Sequence, residues 1–259
     1  VVFFLRDGLS AAEKERMAAY GADMSKYLDS GNEARIKKAY ESRDPRLQMA
    51  VITPYAQYNG ASSGIAHTYT LRWPYRGSDS AEPFDIRTDT NDKFYYLWRK
   101  FVPEGLEQTE RDTYGLDIPL IRYAEVLLLK AEALNEWGST HESEAIRCVN
   151  EVRRRAGHVE LNNATYPATK VNGQSDLRER IRNEYYWEIG GEDSMYFHEL
   201  RWGTWKDKKF DNNRNGLMQM WGETTYTWYW LGDQCWSWPI PAKEMEMNSN
   251  LEQNEGWIN

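Results

Sequence analysis

The sequence predicts a mainly α-helical fold in which helix pairs alternate with long irregular loops and a few short strands. Three observations support this. Apolar residues recur at helical spacing in the middle of the chain, glycines follow the periodic segments, and the periodicity disappears on both sides of this region. With 259 residues, 41% of them hydrophobic, the chain is long enough to bury a core.

The strongest helical pattern begins near Leu120 and ends at Gly138. A second helix, capped by Thr140 or Ser143, ends at Gly157. The pair spans roughly 34 residues, the length of one tetratricopeptide repeat, so tetratricopeptide-like helix pairs are expected. The inward positions should be Leu120, Tyr123, Ala124, Leu127, Leu128, Ala131 and Leu134, then Ala145, Ile146, Val149, Val152 and Ala156.

Further elements are expected on both sides of this pair. Ser10 and Glu13 form a capping box, Asp176 should cap a later helix, and Pro45 should stop a short one. The expected helices are Ser10 to Leu28, Asp176 to Ile189 and Ser194 to Trp205, and the expected strands are Leu47 to Thr53 and Phe94 to Val102.

Residues 54–92 show no periodicity and are predicted to be one long loop. Structureless loops beyond about 12–15 residues are usually functional or disordered. This loop carries six aromatic residues, which argues against disorder: Tyr55, Tyr58, Tyr69, Trp73, Tyr75 and Phe84. It is therefore the candidate ligand site.

Composition excludes several classes of protein. With 32 Lys and Arg against 40 Asp and Glu, the net charge is −8, and such a chain repels a phosphate backbone, so general nucleic-acid binding is not expected. No stretch approaches the roughly 18 apolar residues of a membrane span, and 12 Trp, 17 Tyr and 7 Phe exclude low-complexity disorder. Val1 to Leu5 is typical of a strand within a longer chain, not of a signal peptide.

The cysteine and histidine positions predict neither a metal site nor a cofactor. Cys148 and Cys235 belong to no CxxC motif, and neither has a histidine at ligand spacing. A free buried thiol is favoured over a disulfide between them. The four histidines are scattered, and the acidic residues between 79 and 92 lack the regular spacing of a calcium loop.

Short blocks in a characteristic order run from Arg43 to the end of the chain. Each block alone is weak, but the series is specific, and it resembles the carboxyl-terminal half of the SusD/RagB family. The blocks are Arg43 to Leu47, Asp117 to Glu125, Leu129 to Glu136, Ala145-Ile146 with Val149 to Gly157, Arg182 to Glu184 with Glu188, Tyr196-Phe197 with Leu200 to Gly203, and Pro239 to Gly256.

This resemblance implies a surface lipoprotein of the Bacteroidetes outer membrane. Members of the family capture an oligosaccharide or polysaccharide and deliver it to a SusC-like TonB-dependent transporter, and they have no catalytic residues. Residues 1–259 would form one domain, the carboxyl-terminal half of such a protein. Its amino-terminal half, and the lipid anchor that would make the only membrane contact, are not present in this chain.

The loop contains residue types suited to sugar binding. Aromatic rings can stack on the apolar faces of a sugar, and polar groups can bind its hydroxyls. The family's platform residues lie on variable loops, so these candidates come from chemistry and position, and the alternative is that the aromatics only pin the loop to the protein. The expected ligand-binding residues are Trp73, Tyr75, Tyr69, Tyr58, Arg72, Arg76 and Asn59.

A second aromatic cluster lies between Trp221 and Trp238. Trp236 and Trp238 lead into the Pro239-Ile240-Pro241 segment and are expected to pack in the core, whereas Trp228 or Trp230 could face the ligand.

Charged residues within the helical blocks could suggest the paired carboxylates of a glycoside hydrolase. A buried ion-pair network is the favoured interpretation. Glu192-Asp193, after Gly190-Gly191, is expected to cap the next helix through its dipole. The charged residues of the helical blocks are Arg122, Glu125, Glu132, Arg182, Glu184, Glu188 and Arg201.

A second function remains open, in which the stacked helices form a scaffold that binds a protein or peptide partner.

Overall fold

A computed structural model describes residues 40, 43–53, 55–62, 64–71, 84–85, 97–105, 117–192, 194–209, 217–218, 224–226 and 230–257. These residues form two compact units, one reaching Met195 and the other starting at Tyr196. The mainly helical fold class with short strands is confirmed. The predicted helix from Ser10 to Leu28 lies outside the described residues. No helix in the described ranges is long and apolar enough to cross a bilayer.

The first unit combines helices with short antiparallel strand pairs. The helices are α1 (Pro45–Ala50), α2 (Tyr123–Trp137), α3 (Glu142–Arg155) and α4 (Gln174–Glu188), and the strands are β1 (Val51–Ile52), β2 (Gln57–Ser62), β3 (Ile65–Thr70) and β4 (Leu97–Trp98). Strand β1 pairs with β4, and β2 pairs with β3.

The core of the first unit lies between α2, α3 and α4. The predicted inward positions are confirmed for most of α2 and α3, because apolar residues at helical spacing form one buried stripe on each helix. Full burial of each Leu or Ile contributes about 1.5–3 kcal/mol. Residues buried to 1% exposure or less include Leu128, Ala131, Ala145, Val149, Leu177, Ile181 and Tyr185.

Helix α2 begins later than predicted. Arg122, its N-cap, is extended, with φ −114° and ψ 153°, so Leu120 precedes the helix and is 88% exposed. Tyr123 is also exposed, so neither residue belongs to the core. Together with their neighbours they form what we call the outer apolar face: Ile118, Leu120, Ile121, Tyr123, Val126 and Leu129.

The ends of α2 and α4 were predicted better than the starts of α3 and α4. Gly138 is the C-cap residue of α2, and Gly191, with φ +83°, follows the end of α4. The predicted N-caps are wrong, because α3 follows a 3₁₀ turn and has His141 as its N-cap, while Gly173 is the N-cap of α4. Asp176 instead accepts the backbone N–H of Asn172 at 2.8 Å.

The chain is helical at Tyr40 and not at Arg43 or Asp44, as predicted, but a new helix that was not predicted begins at Pro45. Asp44 is the N-cap of α1, and its carboxylate accepts the backbone N–H of Arg46 at 2.9 Å. Proline suits the first helical position, because a backbone N–H there would have no acceptor within the helix. The strand predicted from Leu47 is therefore limited to Val51–Ile52.

A β-hairpin lies within the segment that was predicted to be irregular. Strands β2 and β3 pair Tyr58 with Tyr69 and Asn59 with Thr68. The turn between them includes Gly64, whose φ of +75° suits glycine. Small residues at alternate positions concealed the two-residue period from sequence analysis.

Helix α5 (Ser194–Arg201) leads into the second unit; it begins at its predicted first residue and ends four residues before the predicted Trp205. The other elements there are α6 (Trp205–Lys209), α7 (Ala242–Met247), a 3₁₀ turn at Asp233–Trp236, and the antiparallel strands β5 (Leu217–Met218) and β6 (Thr224–Tyr226).

Candidate functional site

The buried face of the hairpin carries two of the predicted ligand-binding tyrosines. Tyr58 is 8% exposed and Tyr69 is 9% exposed, so neither ring is an open platform. The Tyr58 hydroxyl donates to the Pro103 carbonyl at 3.0 Å, and burial raises the pKa of this phenol. Both rings are on the inward face of the pleat, and this corrects their predicted role to one of support.

Gly60 on β2 leaves room for the ring of Tyr69, which extends from the paired strand β3. A Cβ atom at Gly60 would lie 2.8 Å from Cε2 of Tyr69 and 3.4 Å from Cε1 of Tyr58. Real carbon atoms do not approach that closely, so a larger residue would displace the ring. The close packing of the Tyr69 ring against β2 therefore requires glycine at position 60.

The chain leaves the hairpin and returns to it at adjacent points. The Leu71 carbonyl accepts the Tyr55 N–H at 2.8 Å, and the Phe84 carbonyl accepts the Thr70 N–H at 3.1 Å. The Phe84 ring stacks on His67 with centroids 4.1 Å apart. Both ends of the 72–83 segment are thus fixed. Trp73, Tyr75, Arg72 and Arg76 belong to that segment and lie outside the described residues.

The opposite face of the hairpin is polar and open to solvent. Asn59 is exposed, and its Oδ1 accepts the Thr68 hydroxyl at 3.3 Å. Its backbone N–H donates to Glu104 Oε2 at 3.3 Å, and Glu104 also pairs with Arg99 at 2.5 Å. Within the described part of the chain, the Asn59 amide nitrogen is left to donate. Asn59 therefore lies where a sugar hydroxyl could reach it.

The predicted buried ion-pair network is present in the first unit. Glu184 Oε1 lies 2.8 Å from Arg46 Nη1, and Glu184 Oε2 lies 2.8 Å from Arg153 Nε. Glu188 pairs with Arg46 at 3.2 Å and with Arg122 at 3.0 Å. Glu184, Glu188 and Arg122 were predicted members of the network. Arg46 and Arg153 were not predicted, because only the folded chain brings them to these carboxylates.

Glu192 joins this network through its side chain. Its carboxylate accepts from Arg122 Nη2 at 2.6 Å and pairs with Lys100 Nζ at 2.5 Å. Its carboxylate is thus engaged by these two cations, and Asp193, the other residue of the predicted cap, lies outside the described residues. Arg201 lies in the second unit, where its Nε donates to His198 Nδ1 at 3.0 Å. No cluster of metal-ligating side chains occurs within the described ranges.

The second unit exposes one indole that was expected in the core. Trp238 is 69% exposed, which contradicts the predicted core packing. Trp236 is half-buried and lies 5.0 Å from Trp230 between ring centroids. The prolines on either side of Ile240 hold an extended segment without burying Trp238. Trp228 lies outside the described residues.

Comparison of the sequence with known proteins identifies relatives of a single kind. The SusD family matches residues 9–257 of the chain. SusD-like protein P38 of Formosa agariphila is 32% identical over 139 residues, which are 53% of this chain and 24% of that protein. Starch-binding protein SusD of Bacteroides thetaiotaomicron is 28% identical over 161 residues, which are 62% of this chain and 25% of that protein.

Solved structures of SusD-like proteins have the same fold. A SusD-like protein from Bacteroides fragilis superimposes with a TM-score of 0.55 at 23% identity, covering 85% of this chain and 40% of that one. A SusD homolog from Bacteroides thetaiotaomicron gives a TM-score of 0.53 at 22% identity, covering 90% and 43%. The matched region thus spans about a quarter of the curated relatives and less than half of these structures. The chain belongs to the SusD family.

Proposed function

We propose that this chain is the carboxyl-terminal half of a non-catalytic, cell-surface glycan-binding protein. In this proposal the whole protein captures an oligosaccharide or polysaccharide at the outer membrane and delivers it to a SusC-like TonB-dependent transporter. Family membership supports the proposal, as does a relative named for starch binding. The observation that carries it is that Leu71 and Phe84, the described residues on either side of Trp73 and Tyr75 in the sequence, are both held at the hairpin, which we call the base of the loop.

This base provides the rigidity that weak sugar contacts require. Leu71 is fully buried, and the Phe84 ring packs against His67 and lies 5.6 Å from Tyr69. Anchoring both ends of a binding loop reduces the entropy that is lost when a ligand orders it. We therefore propose that the aromatic residues between these ends stack on the sugar.

Polar groups beside the base would bind the sugar hydroxyls. Asn59 lies on the exposed face of the same hairpin, and Arg72 directly follows Leu71 in sequence. An amide and a guanidinium both supply N–H donors, which suits the oxygen of a neutral hydroxyl group as acceptor. The proposed ligand-binding residues are Trp73, Tyr75, Arg72, Arg76 and Asn59, with Trp228 as a further candidate and Tyr58 and Tyr69 as their support.

The buried carboxylates support a non-catalytic role. A glycoside hydrolase needs two carboxyl groups about 5–9.5 Å apart that reach the scissile bond. Glu184 is fully buried and Glu188 nearly so, and both are held by arginines. A substrate cannot reach them without disrupting the helical core.

The outer apolar face supports the assignment of this chain to part of a larger protein. It includes Leu120, Ile121 and Tyr123, each more than two-thirds exposed. Stacked helical repeats bury such faces against neighbouring repeats. The same face would suit a protein partner, which is the observation that favours the scaffold alternative.

Affinity electrophoresis tests the proposed function. The purified 259-residue chain is run in gels that contain soluble starch, xylan, galactomannan, laminarin or pectin, and we expect retardation by at least one of them without release of reducing sugar. Trp73→Ala should weaken retention about two- to tenfold, the range for loss of one aromatic contact.

Trp137→Ala is the matched control, because Trp137 is an exposed indole that lies outside the proposed site. It should migrate like the wild-type chain. Release of reducing sugar by the pure chain would contradict the non-catalytic role. Unchanged retention of Trp73→Ala would remove Trp73 from the site.

A further inference from the structure

We propose that Trp238, together with Tyr196 and Asn254, forms a second sugar-binding subsite in the second unit. It would take one pyranose ring, with the indole face as its platform. The inference rests on the glycan-binding function proposed above, but it uses different residues.

The edge of the Trp238 indole is fixed while its face stays open to solvent. Nε1 of Trp238 donates to the Tyr196 hydroxyl at 3.2 Å, yet the residue is 69% exposed. The Tyr196 ring packs edge-to-face against Phe197, at 5.3 Å and 67°, and against Trp205, at 4.9 Å and 86°. Aromatic pairs in this geometry contribute about 0.5–1.5 kcal/mol each. The group that holds the indole is therefore itself held firmly.

Side chains from the end of the chain fix the backbone at Trp238. Asn254 Nδ2 donates to the Trp238 carbonyl at 2.6 Å. The Gln253 amide accepts the Ile240 N–H at 2.7 Å and donates to the Ile240 carbonyl at 2.9 Å. The Trp257 indole donates to the carbonyl just before Trp238 at 2.9 Å. Hydrogen bonds thus hold the backbone that carries this large exposed ring. Little conformational entropy of the protein would therefore be lost when a ligand stacks on the ring.

The groups that hold Trp238 also present one donor and one acceptor beside it. Tyr196 accepts from the indole, and no bond among the described residues uses its own hydroxyl proton. Asn254 uses its amide nitrogen, which leaves Oδ1 to accept. A sugar hydroxyl both donates and accepts, and it lies at the rim of an apolar ring face. The combination fits a sugar better than a purely apolar or a charged ligand.

The polysaccharide gels described above test this subsite. In the gel that retards the wild-type chain most, Trp238→Ala should weaken retention about two- to tenfold. Tyr196→Phe removes the hydroxyl and should also weaken retention, but it should add nothing in the Trp238→Ala background. Trp137→Ala again serves as the control for loss of an exposed indole, and circular dichroism with thermal unfolding checks each variant for folding.

Each outcome decides a separate question. If Trp238→Ala binds like the wild-type chain while Trp73→Ala does not, the second subsite is refuted and the proposed function stands. If only Trp238→Ala loses retention, this subsite stands and the role of Trp73 falls. If no polysaccharide retards the wild-type chain, both proposals fall.

A second substitution keeps the test decisive if Trp238→Ala unfolds. Trp238→Leu keeps an apolar side chain but removes the flat ring. Weakened retention by this folded variant would support stacking, whereas wild-type retention would overturn it.

Discussion

The Arg46 guanidinium donates to the Glu188 carboxylate at 3.2 Å, across 142 residues of sequence. The same guanidinium pairs with Glu184 at 2.8 Å and with Asp44 at 2.6 Å. These bonds tie the start of α1 to α4. Because all four groups are nearly excluded from water, the network is stable only when every partner is present.

Arg46→Ala should lower the free energy of unfolding by about 3–5 kcal/mol, because it removes a buried positive charge that Asp44, Glu184 and Glu188 share. Urea unfolding followed by circular dichroism measures this change. Arg147→Ala breaks an exposed pair with Glu144 on α3 and should have little effect. Equal stability of Arg46→Ala and the wild-type chain would show that the network does not hold α1 to α4.

The pH dependence of stability should report on Glu192. Burial alone would raise the pKa of this carboxyl, but its bonds to Arg122 and Lys100 outweigh burial and lower the pKa below 4.5. A carboxyl group whose pKa is lower in the folded state than in the unfolded state stabilises the fold. This contribution is fully present above pH 4.5, the unfolded-state pKa, and is lost as the pH falls through the lower folded-state pKa.

Glu192→Gln should therefore lower stability at pH 7 by about 1–3 kcal/mol and flatten the loss of stability below about pH 4.5. Urea titrations between pH 7 and pH 3 measure both effects. Glu179→Gln, at a largely exposed carboxylate on α4, is the control and should leave the pH profile unchanged. Parallel profiles for Glu192→Gln and the wild-type chain would contradict the assignment.

Gly60→Ala should destabilise the first unit by about 1–3 kcal/mol, because the new methyl group would press on the buried Tyr69 ring. Ala66→Ser, at an exposed position on the neighbouring strand, should change stability by less than about 0.5 kcal/mol. Thermal unfolding of the two variants makes the comparison. A Gly60→Ala variant as stable as the wild type would mean that the ring can move aside freely.

The two free thiols should react at very different rates. Cys148 is 2% exposed on the inner side of α3, and burial raises the pKa of its thiol, whereas Cys235 is partly exposed. Because the thiolate is the reactive form, Cys148 should be slow and Cys235 fast towards a disulfide reagent. Cys235→Ser should abolish the fast phase, and Cys148→Ser should leave it intact. Two equally fast thiols would show that α3 opens readily.

The helices were predictable from sequence because their periodicity is long and regular. Leu128, Ala131 and Leu134 recur along one face of α2, and a following glycine marks where that helix ends. The starts of helices were less predictable. The N-cap residues of α3 and α4, His141 and Gly173, make no side-chain hydrogen bond to the first turn of their helices, so no capping motif in the sequence marks these starts.

The site was only partly predictable for a different reason. An aromatic side chain that binds a ligand and one that packs in a core have the same chemistry, so sequence alone does not separate them. Only the folded structure shows that Tyr58 is buried and that Trp238 is exposed. The partners of the buried acids were hidden too, because Arg46 and Glu188 share no local pattern. Only Asp44, two residues from Arg46, could have suggested a local pair.

The charge network also sets an order of events during folding. Arg153 and Glu184 are separated by 31 residues, whereas Arg46 and Glu188 are separated by 142. Closing the longer loop loses more chain entropy before any bond compensates for it, so contacts of this range slow folding. The ribosome releases Arg46 well before it completes α4. Arg46 can pair with Asp44 early, but it can reach Glu184 and Glu188 only after most of this chain has been synthesised.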